Sequence, residues 1–211
     1  MRSELASKEA AVERVNFLLE SGTERILLGI MGKPGSGKST FTKYLKNKSN
    51  RDLVSIVPMD GFHLSNRILK ELGRSDRKGA PDTFDVEGFV ALLRRIRSET
   101  ESDIYYPVFN RSMEESIAAQ GVITPKTRLV IVEGNYLLHD QSGWEQVREL
   151  LHETWMIDID NDKRIARLIS RHVSFGRDPE SAKLWAKGSD EANANLIEGS
   201  AHKADFIVRS D

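Results

Sequence analysis

Short apolar runs alternate with helical patterns along most of the chain. The apolar runs fall at residues 26–31, 53–58, 104–109, 128–133, 154–159 and 205–208. Several are rich in Val and Ile, as strands buried on both faces of a parallel sheet are. Between them, apolar positions recur at helical spacing over 39–48, 86–98, 143–151, 161–174 and 179–197. A further helical pattern covers about 4–21, through Leu5, Val12, Val15, Leu18 and Leu19, and stops at Gly22. This alternation predicts an α/β fold, a doubly wound parallel sheet with right-handed crossovers and helices on both faces. Such sheets collect ligands at the carboxyl ends of their strands, so the residues that follow each strand are the candidates for chemistry.

The run at 26–28 leads into "GIMGKPGSGKSTFTKYL", residues 29–45, with four glycines, three lysines and a proline. That is a poor core segment. Gly32, Gly37, Lys38 and Ser39 fit the spacing G-x-x-x-x-G-K-[ST] of a phosphate-binding loop. A polyphosphate must be wrapped closely by backbone N–H groups, and a Cβ at Gly32, Gly35 or Gly37 would obstruct the wrap or forbid the required φ. Lys38 supplies a point charge to the β- and γ-phosphates, and Ser39 offers a hydroxyl to Mg²⁺. The helix that follows points its positive end at the anion. The expected nucleotide contacts are Gly32, Lys33, Gly35, Ser36, Gly37, Lys38, Ser39 and Thr40. The fold class thereby narrows to a three-layer P-loop architecture.

Two later strands end in acids. Asp60 closes 53–58 in "VPMDGFH", where a carboxylate could orient an acceptor hydroxyl and take its proton; Asp-Gly is also a turn dipeptide in its own right. His63 follows it as a weaker candidate. Glu133 closes "RLVIVEGNY", the position of an acid that holds Mg²⁺ directly or through water. In "DIDNDKRIARLISRHVSFGRD" the spacing puts Arg164, Arg167 and Arg171 on one helix face, with Arg177 after a glycine turn. They read either as a solvated basic face or as a lid that places guanidinium groups on phosphates.

Composition narrows the partners. The chain has 211 residues, 39% hydrophobic and 30% charged, enough for one well-buried domain over 1–211. Its net charge of −1 provides no basic field for nucleic acid, and the absence of cysteine excludes disulfide and thiolate chemistry. The start, "MRSELASKEAAVERV", lacks the apolar core of a signal peptide, and no apolar run is long enough to span a bilayer. A cytoplasmic protein without membrane contact is the expectation.

These residues carry a resemblance. The chain resembles the uridine kinase and phosphoribulokinase superfamily over most of 24–209, and shares motifs with type I pantothenate kinases. "MDGFH" is similar to the turn that carries the proposed base in pantothenate kinases, and "RKGAPDTFD" to their Lys-Gly-x-Pro-x-x-x-Asp stretch. "YYPVFN" resembles the substrate-side strand of uridine kinases, "RHVSFGRD" their lid and "KADFIVR" their last strand. Phe109-Asn110 replaces a Tyr-Asp of uridine kinases, and Phe175 stands beside Gly176 where their lid carries an arginine. The likeness is greatest to a uridine kinase-like branch whose members include proteins named as fructose-transport kinases.

The resemblance implies ATP and Mg²⁺ as cofactors, a small-molecule hydroxyl as acceptor, and a homodimer or homotetramer. It implies Asp60 as base, Arg171 and Arg177 as lid residues within about 161–180, and a mobile substrate loop at about 61–85. The acceptor is expected between that loop and 105–111, against Phe62, His63, Lys78, Tyr106, Phe109, Asn110 and Arg111; for the two aromatics on the strand, ordinary packing is the competing reading. Nucleoside, pantothenate-like acid and sugar stay open as acceptors. Two other functions compete. One is a nucleotide-switch GTPase, for which "DVEG" at 85–88 fits Asp-x-x-Gly although no Asn-Lys-x-Asp occurs. The other is a regulatory ATP binder without turnover, in which Asp60 and Glu133 would be idle.

Overall fold

The structure, a computed structural model, describes residues 3–22 and 24–209; residue 23 and the two ends of the expected 1–211 unit lie outside the described residues. The chain opens with β1 (Ser3–Leu5), α1 (Lys8–Glu20), β2 (Ile26–Gly32), α2 (Lys38–Lys48) and β3 (Val54–Pro58). It continues through α3 (Asn66–Glu71), α4 (Val86–Ser98), β4 (Ile104–Asn110), β5 (Glu115–Ile123) and β6 (Leu129–Gly134). The last part holds α5 (Glu145–Leu150), β7 (Glu153–Asp158), α6 (Asn161–Ser174), α7 (Pro179–Lys187), α8 (Ser189–Ser200) and β8 (Phe206–Arg209).

Six strands form one all-parallel sheet in the order β1-β8-β7-β2-β6-β3. On β2, Leu27 and Met31 pack into a core with Phe89 and Leu93 of α4, Val147 of α5 and Ile197 of α8. Leu28 and Ile30, on the other face, pack with Val15 of α1 and with Phe41 and Leu45 of α2. The period of two along one strand thus feeds two cores, which makes three layers. From β2 the chain goes out to β3, returns to β6 and crosses to β7 on the opposite side. The carboxyl end of β2 therefore lies where the strand order reverses, the place for a ligand in such a sheet.

Three expectations change. Residues 104–110 leave the main sheet and pair antiparallel with β5, which the apolar pattern does not show because "ESIAAQGVI" is weakly apolar. Pro107 lacks an N–H for a ladder, and the register shifts between Tyr106 and Val108. The first helix starts at Lys8, capped by Ser7, whose Oγ accepts from Ala10 N at 3.1 Å; Leu5 instead pairs with Val208 in an edge strand. The pattern over 179–197 is two helices that meet at Gly188. As the helical pattern over 86–98 predicts, Asp85 of "DVEG" caps α4, its Oδ1 accepting from Gly88 N at 2.9 Å, so the tetrad opens a helix.

No helix among the described residues is long and apolar enough to cross a membrane.

Candidate active site

The turn from β2 into α2 is a phosphate-sized cradle. Gly35 and Gly37 take φ of +82° and +88°, where a side chain is strained, and a Cβ on Gly32 would sit 2.6 Å from Ser36 Oγ. Ser36 is fully buried, and its hydroxyl has no partner among the described residues. Lys33 turns its side chain to Glu198 of α8, 2.7 Å away, so its contribution to the cradle is its backbone. Thr40 is exposed on the first turn of α2.

Lys38 leads back across the loop. Its Nζ donates to Gly32 O at 2.8 Å, Lys33 O at 3.3 Å and Asn135 Oδ1 at 2.7 Å. Burial lowers its pKa to about 8, against the raising influence of Glu133 and Asp60. Ser39 Oγ donates to Glu133 Oε1 at 2.7 Å, and Thr42 Oγ1 to Glu133 Oε2 at 2.8 Å. Ser39 and Glu133 thus form a pair of hard oxygens at the mouth of the cradle. Mg²⁺, which takes one or two protein oxygens plus phosphate oxygens, fits that donor set.

Asp60 stands across the same cavity, of about 520 Å³, with Lys38, Ser39 and Glu133 on its wall. The Asp60 turn follows β3 and is covered by the β4–β5 hairpin, with Gly61 in contact with the Pro107 backbone: a Cβ there would lie 2.1 Å from Pro107 O. The hairpin turn returns Arg111, whose Nη2 donates to Asp60 Oδ2 at 3.1 Å. His63 Nδ1 donates to Asp60 O at 2.8 Å, and burial lowers the ring's pKa against the raising influence of Asp60. Phe84 and Phe109 lie against it, with ring centroids 4.1 and 4.8 Å away.

The lid side comes from α6 and α7. Gly176, at φ +93°, closes α6, and Arg177 N donates back to His172 O at 3.1 Å. The reversal lays the Arg177 guanidinium over the Trp185 ring, 4.0 Å from its centroid. Arg171 lines the cavity beside it, its pKa lowered by burial and by the charge of Arg111. Arg164 does not join them. It is fully buried and ties the lid to the loop, donating to Pro34 O at 3.4 Å, to Asn161 Oδ1 and to Glu191 of α8. Arg167, exposed, reaches the edge of the cradle at Gly37.

The structure therefore brings Lys38, Ser39, Asp60, His63, Lys78, Phe109, Arg111, Glu133, Arg171 and Arg177 to one cavity. Three residues expected at the acceptor lie elsewhere. Phe62 is buried in the core against Phe89, at 5.1 Å between centroids. Tyr106 is buried, and its hydroxyl donates to Ile56 O at 2.8 Å, because strand alternation gives the outward position to Tyr105. Asn110 closes the hairpin turn, its Oδ1 accepting from Ser112 N and Met113 N at 3.0 and 3.1 Å.

The 61–85 segment is folded here into α3 and short 3₁₀ turns. Tyr136 Oη donates to Gly79 O at 2.6 Å and Trp144 Nε1 to Pro81 O at 3.3 Å. Lys78 Nζ donates to Asn66 Oδ1 at 2.7 Å and Glu114 O at 2.6 Å, which clasps the segment to the hairpin.

Sequence reasoning missed Asn135, Trp185, Asn193 and the His172–Asp190 pair, 2.7 Å apart. Asn135 was within reach, since it stands two residues after a strand-end acid. The two α8 residues carry no local signal.

Comparison with known proteins agrees with this geometry. The profile of the Phosphoribulokinase / Uridine kinase family matches residues 27–210. A Schizosaccharomyces pombe protein with the provisional name uridine kinase C227.14 is 31% identical over 199 residues, 88% of this chain and 83% of that protein. ATP-dependent kinase YFH7 of Zygosaccharomyces rouxii is 31% identical over 225 residues, 88% of this chain but 59% of the relative, so the chain spans little more than half of YFH7. A crystal structure from Silicibacter sp. TM1040, provisionally named a fructose transport system kinase, superposes with a TM-score of 0.87. It is 36% identical and covers 95% of this chain and 98% of its own.

Proposed function

Because the chain belongs to the phosphoribulokinase and uridine kinase family of P-loop kinases, we propose that it is an ATP- and Mg²⁺-dependent kinase that phosphorylates a hydroxyl of a small metabolite. One observation carries the reading: Asp60 faces the same cavity as Lys38, Ser39 and Glu133. A passive ATP binder needs the last three and has no use for the first.

The loop amides and Lys38 bind the β- and γ-phosphates, with Lys38 exchanging its contacts to Gly32 O and Lys33 O for phosphate oxygens. Mg²⁺, when bound by Ser39 and Glu133, would neutralise charge on the phosphate oxygens. Asp60 accepts the acceptor's hydroxyl proton, and Arg111 holds its carboxylate in place. Arg171 and Arg177 face the transferring group from the lid. Little covalent chemistry is asked of the protein, so positioning and electrostatics supply most of the rate.

The test has two stages. A coupled ADP-release screen over hydroxy acids, sugar phosphates, nucleosides, vitamins and sugars should find an acceptor. Asp60→Asn should then slow single-turnover transfer by about 10²–10⁴ while ATP affinity by calorimetry holds. Wild-type transfer by that variant would reduce Asp60 to a turn residue. Failure of every acceptor with the unmodified protein would leave a regulatory ATP binder.

A further inference from the structure

The wall around Asp60 is cationic, and its aromatic rings are already occupied. Phe109 has His63 against it and the Lys78 ammonium over its face, 5.2 Å from the centroid. Phe84 is 6% exposed and held among His63, Tyr136 and Trp144. A nucleobase finds no open ring beside Asp60; the exposed Phe175 ring on the same cavity belongs to the lid side.

The acids of the cavity have partners: Asp60 has Arg111, Glu133 has Ser39 and Thr42, Asp190 has His172, and Glu114 has Lys78 at 3.8 Å. The cations are less satisfied. Arg111 donates through Nη2 alone, and Arg171 forms no side-chain hydrogen bond or ion pair among the described residues. Arg111 comes from the hairpin and Arg171 from the lid. The charges of Asp60, Asp190 and Glu114 offset part of the repulsion between these two guanidinium groups, and a further anion between them would offset the rest, for which their planar forks suit carboxylate or phosphate. Because Arg111 sits beside the proposed base, that anion belongs to the acceptor side.

We propose that the acceptor is a small hydroxy compound that also carries a carboxylate or phosphate, gripped by Arg111, with Arg171 shared between that group and the transferring phosphate, while Asp60 takes the hydroxyl proton. The reacting oxygen bonds to the γ-phosphorus, the bond from that phosphorus to the β–γ bridging oxygen breaks, and ADP leaves with the electron pair. The anionic group is a handle and does not react. This deepens the kinase reading and rests on it.

The experiment separates the two. Protein saturated with Mg²⁺ and β,γ-imido-ATP is titrated by calorimetry with inorganic phosphate and, separately, acetate at constant ionic strength. One of them should bind once per chain, and which one it is distinguishes a phosphate handle from a carboxylate handle. Arg111→Gln should weaken that binding at least tenfold and change the imido-ATP affinity less than twofold. In the ADP-release screen, turnover should be confined to hydroxy acids and phosphate esters. Absence of anion binding on the loaded protein, or turnover of a neutral nucleoside or free sugar, would overturn the proposal. Anion binding without turnover of any acceptor would keep the anion site and remove the kinase reading instead.

Discussion

Lys38 carries the pH dependence of this site. Its amine is held by three acceptors, yet burial lowers its pKa from 10.5 to about 8. Between those values the unfolded chain keeps a proton that the folded, nucleotide-free protein has lost, so this group makes stability rise with pH across that window. Nucleotide binding runs the other way. Phosphates favour the charged amine, so ATP affinity should be flat below about pH 8 and then weaken by up to about tenfold per pH unit. Calorimetry at pH 8.5 in two buffers of different ionisation enthalpy should show proton uptake, lost in Lys38→Met. An ATP Kd that stays constant from pH 7 to 9.5 would sink the assignment. The role of Lys38 was legible in the motif because the loop is a local, seven-residue structure. Its shifted pKa was not, since Glu133 at the end of β6 and the partner Asn135 just after it lie far along the chain.

At the scale of elements, the Asp60 turn shows how a local signal can be right for a non-local reason. "MDGF" reads as a turn because of Asp-Gly, but the glycine is required by the hairpin packed on it. Gly61→Ala would drive a methyl group into the Pro107 carbonyl, 2.1 Å from the ideal Cβ position. We expect a loss of about 1–3 kcal/mol in denaturant unfolding, as for other overpacked sites. We also expect a rise in the acceptor KM that exceeds any change in ATP affinity, because the hairpin carries Phe109 and Arg111 and the phosphate loop is elsewhere. Unchanged stability and kinetics would mean that the hairpin yields freely. The same hairpin was half legible. Its first strand has an apolar pattern, whereas β5 is too polar to announce itself and is defined only by its pairing.

For the whole molecule, the question is how the lid is coupled to the phosphate loop. Arg164, buried between the loop and α8, joins them, and Lys33–Glu198 makes a second tie. Arg171 and Arg177 extend from this anchored unit to the cavity wall. If they act on the transition state, Arg171→Ala or Arg177→Ala should lower kcat by roughly 10³-fold with little rise in the KM for ATP. Changes confined to KM would make them ground-state contacts, and normal kinetics in both would return them to a solvated basic face.

The sequence by itself determined the strand–helix alternation, the spacing of the phosphate-loop motif and the place of Asp60 and Glu133 after strands, while it left Arg171 and Arg177 open between a lid and a solvated face. The first three are written in a few adjacent residues, so their period or spacing is local. Only the tertiary structure decided which aromatics are core and which line the cavity, that Arg164 is an anchor while Arg171 lines the cavity, and that Arg111 meets Asp60. These depend on which strand lies over which turn and which helix crosses which loop. Contacts between residues 51 positions apart, as for Arg111 and Asp60, leave no periodic trace in either segment.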